Sequence, residues 1–190
     1  PSFSVAFGLI MLVGESCTFT PAMMLAEEKE KKTLQALVLS PAKPFEIFAG
    51  KGLLTLFLTL VTGLVILLVT GKGFDHIGII LLGLLLSSAA CIQIGMIIGL
   101  LAQNQMATGV VGIPVIFPFI FIPYLALMGS ETMMKIALFT PTYHYFQMIA
   151  LAMGRNAGFT DMLPFMGALA GYILISASAL VFFYRRKGLE

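Results

Sequence analysis

The sequence predicts an all-α polytopic membrane protein with five transmembrane helices. Composition and the length of the apolar runs carry that prediction. Of the 190 residues, 59% are hydrophobic and 11% are charged, whereas an ordinary soluble domain is about a quarter charged. Mean hydropathy is +1.01. A chain of this kind has too few polar residues to cover a core in water, but apolar surface in lipid need not be hidden. Five continuous apolar stretches occupy residues 3–25, 53–69, 77–101, 106–128 and 163–184. Each approaches or exceeds the roughly 20 residues a helix needs to cross hydrocarbon. The absence of alternation, together with these lengths, excludes strands. The whole of 1–190 reads as one transmembrane domain.

The runs differ in what interrupts them. The first carries Glu15, a charge deep inside an apolar stretch, where insertion costs about 2.5–3.5 kcal/mol. Ser16 and Thr18 follow it, and Gln93 is the comparable polar group of the third run. These four form a candidate pathway or a structural polar cluster. The third run repeats Ser87, Cys91, Gly95 and Gly99 at four-residue spacing, and the fifth contains Gly167 and Gly171 in "GALAG". Such small-residue stripes let helix backbones approach closely in lipid, within one chain or between two. Pro114, Pro118 and Pro123 each delete a helical donor from the fourth run and should bend or loosen it. Cys17 and Cys91 lie in apolar surroundings and read as packing residues. His76 and His144 read as ordinary residues of the outer face.

The connections are of three kinds. Residues 27–51 are long, charged and partly amphipathic; residues 71–76 and 102–105 are short turns. Residues 129–162 hold a broken apolar section, expected as a short helix or helical hairpin at or dipping into the interface. Basic residues set the orientation. Lys29, Lys31, Lys32, Lys43 and Lys51 share one side with Arg185, Arg186 and Lys187, against Lys72, Lys135 and Arg155 opposite. Residues 27–51 and the C-terminus are therefore expected in the cytoplasm of a multi-pass cell-membrane protein. Pro1 then falls outside, from which an upstream crossing is expected.

Catalytic and nucleotide-binding patterns are absent from the sequence. "AGKG" and "TGKG" lack the first glycine and the hydroxyl of a P-loop, and no zinc-protease or nucleophile-elbow motif occurs. A net charge of +2 without a basic, aromatic-interleaved patch implies no nucleic-acid partner.

The most informative segment is "AEEKEKKTLQALVLSPAKPFEIFAGK", residues 26–51. Glu27, Glu28 and Glu30 lead it. Leu34, Leu37 and Val38 then make one apolar helical face, and Pro41 and Pro44 stop the helix. Periodicity leaves open whether that face lies on the membrane or on a soluble partner. The segment resembles the coupling segment of type-2 ATP-binding-cassette (ABC) exporter permeases. Glu28, Glu30, Thr33, Leu34, Leu37, Ser40, Pro41, Gly50 and Lys51 match the family pattern, and Lys32 stands where the family usually has glycine. "LFTPTYHYFQMIALAMG", residues 138–154, resembles the family's extracellular segment before its last span. The resemblance implies a six-span fold of which this chain holds spans two to six. It implies a permease subunit forming half of a substrate pathway, beside a second permease copy or homologue. ATP and magnesium would belong to a separate P-loop ATPase, this chain carrying no cofactor of its own. The alternatives are an ATP-independent transporter or channel, and a non-transporting membrane assembly protein.

Overall fold

A computed structural model describes residues 2–31, 44–71, 76–127, 131–154 and 159–187. Every regular element among them is helical. Helix α1 (Ser2–Met11) runs through a π-helical turn (Leu12–Ser16) into α2 (Cys17–Glu30). Then follow α3 (Pro44–Thr70), α4 (Ile77–Leu101), α5 (Gln105–Leu127), α6 (Glu131–Ala137), α7 (Pro141–Ala152) and α8 (Phe159–Lys187). Among the described residues, five helical stretches are long and apolar enough to cross a membrane: Ser4–Glu30, Glu46–Thr70, Ile77–Leu101, Gln105–Ala126 and Phe159–Arg186.

Two helix boundaries differ from the sequence reading. Glu27, Glu28 and Glu30 do not open a separate coupling helix; they form the last turn of α2. At the other end of the connection, α3 begins at Pro44 and already contains Lys51. A helix that has crossed the apolar layer continues into water when its charged turn finds partners, and this one does. Pro44 suits a first helical position, where its missing N–H is no loss.

Helix α4 sits at the centre and packs on α2, α3, α7 and α8. Glycine makes the closest contact possible. A Cβ at Gly95 would overlap the Thr18 carbonyl oxygen, and one at Gly99 would stand 2.7 Å from the Ala22 carbonyl oxygen. The α2 and α4 backbones therefore touch along the "GMIIG" stripe. The same logic seats α7, because a Cβ at Gly83 would meet the Tyr145 ring at 2.9 Å. Tyr145, Met148 and Ile149 are fully buried there beside Leu9, Leu84 and Met162.

Helix α3 buries a narrow stripe, Thr55, Thr59 and Leu67, and exposes Leu53, Phe57, Val61, Val65 and Leu68. Both stripes follow the four-residue spacing of a helix face. The outward one is suited to lipid. Glycine also ends α3: Gly71 has φ +61°, and its N–H bonds the Leu67 carbonyl at 3.1 Å.

The segment before the last span is a pair of short helices. At 12 residues, α7 is about 18 Å long, too short to cross. It is buried against α4, α5 and α8. His144, within it, is 7% exposed.

Candidate functional site

The end of the bundle that brackets the sequence-predicted coupling segment is tied together by charges. Lys51 of α3 bonds Glu28 of α2 at 2.6 Å, with both side chains largely shielded. Lys29 donates to the carbonyls of Leu100 and Ala102. Those carbonyls end α4, where the helix dipole favours a cation. Glu30 accepts the backbone N–H of Gln105 at 3.2 Å, at the N-terminus of α5, where the dipole favours an anion. Asn104 caps the same helix, its Oδ1 accepting the Ala107 N–H at 2.8 Å. One turn of α2 thus holds α3, the end of α4 and the start of α5. Glu27 makes the outermost contact, an exposed i,i+4 pair with Lys31 at 2.5 Å.

Thr33, Leu34, Leu37, Val38, Ser40 and Pro41 lie outside the described residues. What the structure gives is their frame, whose two ends the Glu28–Lys51 pair joins. Sequence reading missed the role of Lys29. The position of a lysine one turn past an apolar run gives no sign that another helix's C-terminus stands within its reach.

The four polar residues expected to form one cluster in the membrane do not come together. Thr18 is fully buried at the α2–α4 contact. Gln93 faces α8, where its Oε1 is 2.6 Å from the Ser176 hydroxyl. Glu15 lies on the π-helical turn and is exposed, and Ser16 beside it is half-buried. A separate buried contact joins α2 to α3. The Thr59 hydroxyl donates its proton to the Thr55 carbonyl at 2.8 Å, so the Cys17 thiol donates to Thr59 Oγ1 at 3.2 Å. Cys17 and Cys91 are both buried free thiols.

The glycine pairs also part company. Gly95 and Gly99 seat α4 on α2, whereas a Cβ at Gly167 or Gly171 would meet nothing within 4 Å. The "GALAG" stripe is thus not used for packing against the described residues.

Helix α5 contains Pro114, Pro118 and Pro123. Pro123 cannot donate to the Phe119 carbonyl four residues back. Thr142 of α7 fills that vacancy, its hydroxyl donating to the Phe119 oxygen at 2.5 Å. Nearby, the Leu138 carbonyl accepts from His144 Nε2 at 3.0 Å and from the Tyr172 hydroxyl at 2.7 Å. Burial pushes the His144 imidazole below its ordinary pKa, and the bond to Leu138 opposes the shift without cancelling it. The proton on Nε2 leaves Nδ1 as a buried acceptor with no hydrogen-bond partner among the described residues.

A family model described as "ABC-2 family transporter protein" matches residues 2–183. The chain belongs to this family. Among curated proteins, this ABC-2 family member is similar to the "Inner membrane transport permease YhhJ" of Escherichia coli (strain K12) and to its namesake in Shigella flexneri. Each is 28% identical over 180 residues, covering 83% of this chain and 46% of the relative. The ABC-2 chain therefore spans about half the length of the curated relatives it matches. No solved structure matches it.

Proposed function

We propose that this chain is a transport permease subunit forming half of a substrate pathway, and that a separate P-loop ATPase drives it as an exporter. The observation that carries the reading is the family match across residues 2–183. The charged end of the bundle supports it. A segment whose two ends are joined by Glu28 and Lys51 can pass a displacement to α2 and α3 together. Lys29 and Glu30 would extend that displacement to α4 and α5. Binding and hydrolysis of ATP with magnesium would take place on the ATPase, which closes and moves the coupling segment. The second half of the pathway is a second copy or a homologous permease. Residues 27–51 and the C-terminus face the cytoplasm, in keeping with the concentration of lysine and arginine there.

The test is capture of a P-loop ATPase by the complete permease purified from native membranes, followed by substrate-stimulated ATP hydrolysis. Leu34→Asp and Leu37→Asp should leave the permease folded in detergent but lose the ATPase. Burying such a leucine is worth about 1.5–3 kcal/mol, so docking should weaken roughly tenfold or more. Absence of an ATPase from the wild-type complex, or its full recovery by both variants, overturns the reading. Cysteines near Lys43 and Lys187 should react with an impermeant thiol reagent from the cytoplasm only, and one near Asp161 from outside only.

A further inference from the structure

Thr18, Ser88 and Tyr145 are fully buried, and none of their hydroxyls has a conventional hydrogen-bond partner among the described residues. Buried hydroxyls are rarely left so, because an unpaired one forfeits its bonds to water and gains nothing in return. A helical serine or threonine has an easy remedy in the carbonyl four residues back. Thr55, Thr59, Ser87 and Ser176 take it. Thr18 and Ser88 do not.

These groups share one region of the bundle, with the Cys17 thiol at its middle. Thr59 of α3 takes the thiol proton. Ser88 of α4 lies beside the same sulfur. The Tyr145 hydroxyl of α7 and the Cys91 thiol of α4 lie within electrostatic range of it, and Thr18 lies beside Cys91. Tyr145 reaches this point because its ring crosses α4 at Gly83, where no side chain stands in the way. Four helices, α2, α3, α4 and α7, thus bring polar groups to one buried junction.

The surroundings restrict what can pair them. The atoms are enclosed by the chain itself, so neither lipid nor a partner subunit reaches them while the bundle is closed. The groups that act on Cys17, Cys91 and Tyr145 are all neutral, so nothing there would balance an ion. Tyr145 offers a proton without an acceptor, and Ser88 offers lone pairs without a conventional donor. A ligand for this junction is small and neutral, and both donates and accepts. Water has those properties, and it binds inside proteins where two to four polar groups converge.

We propose that Cys17, Ser88 and Tyr145 enclose a water-binding site at the junction of α2, α3, α4 and α7, with Thr18 and Thr59 at its edge. The bound water accepts the Tyr145 proton and donates to Ser88 Oγ. It ties the short helix α7 to the spans beneath the bundle surface, whatever drives transport.

The test is X-ray radiolysis of the complete permease, purified in detergent, with modified residues read by mass spectrometry. Radicals formed from a bound water mark the side chains that enclose it. Tyr145 and Cys17 should be modified faster than Met96 and Met162, which are also buried although methionine is intrinsically more reactive than tyrosine. The second measurement is thermal unfolding. In a dry junction Tyr145→Phe removes an unpaired hydroxyl and raises the midpoint or leaves it unchanged. In a hydrated one it breaks a bond, and the midpoint should fall by about 2–4 °C. Ser88→Ala should also lower it, and the two losses should not add, because both variants act on one water. Modification of Tyr145 and Cys17 no faster than of the two methionines overturns the inference, and so does a midpoint that does not fall in Tyr145→Phe. The labelling is made on wild type, so it decides alone where a variant does not fold.

Discussion

Glu28 and Lys51 are 23 residues apart in sequence and 2.6 Å apart in space. Their side chains are 20% and 16% exposed, so the pair is shielded enough from solvent to exceed an ordinary surface bridge. Glu28→Lys and Lys51→Glu should each lower the thermal midpoint of the detergent-purified protein, because each places like charges together. The double exchange should recover most of the loss. The coupling energy expected for residues in direct contact is about 0.5–3 kcal/mol. Additive losses in the double variant would show that the pair does not hold the two helices.

The two glycine stripes should respond differently to one added methyl. Gly95→Ala forces α2 and α4 apart, because the obstacle is the Thr18 backbone and not a movable side chain. Overpacking of that kind costs about 1–3 kcal/mol. Gly167→Ala meets open space and should leave the folded monomer as stable as wild type. Thermal unfolding of the two variants side by side checks the contrast.

The Thr142–Phe119 bond exists because Pro123 leaves a carbonyl unpaired. Thr142→Val should therefore destabilise the protein by about 0.6–1.7 kcal/mol, the range found for side-chain hydrogen bonds in membranes. In a Pro123→Ala background the backbone N–H returns, and the same substitution should cost less. A double-mutant cycle read by unfolding measures the difference; equal costs in both backgrounds would refute the account.

His144 should make stability fall on mild acidification. Its folded-state pKa lies below the ordinary 6.5 because burial disfavours the imidazolium. The unfolded chain therefore takes up the proton first. Stability is fully present above about pH 6.5 and declines as pH falls from there toward the folded-state value. His144→Gln should flatten that decline in thermal midpoints measured from pH 7.5 to pH 5. A decline of unchanged size in the variant would assign it elsewhere.

Local chemistry alone determined the all-α class and the five crossings. An apolar run of sufficient length becomes a spanning helix whatever surrounds it, because lipid leaves the backbone no other way to pair its polar groups. That is why residues 77–101 were legible to the residue. Helix ends in water were less so. Residues 27–30 stayed helical because Lys51, Leu100, Ala102 and Gln105 stood ready to bond them, and none of those partners is local.

Tertiary structure alone decided which side of each helix matters. "GMIIG" and "GALAG" carry the same signal, yet one meets the α2 backbone and the other meets nothing within 4 Å. A small-residue stripe permits close approach but does not supply the neighbour. Glu15 and Thr18 are three residues apart in sequence, and one is exposed while the other is fully buried. The π-helical turn changes the angular register between them, and no apolar periodicity announces such a turn. The burial of His144 was not legible for the same reason. Its ring lies against Phe165 and Tyr172 of α8, neighbours more than twenty residues away that only the folded chain brings to it.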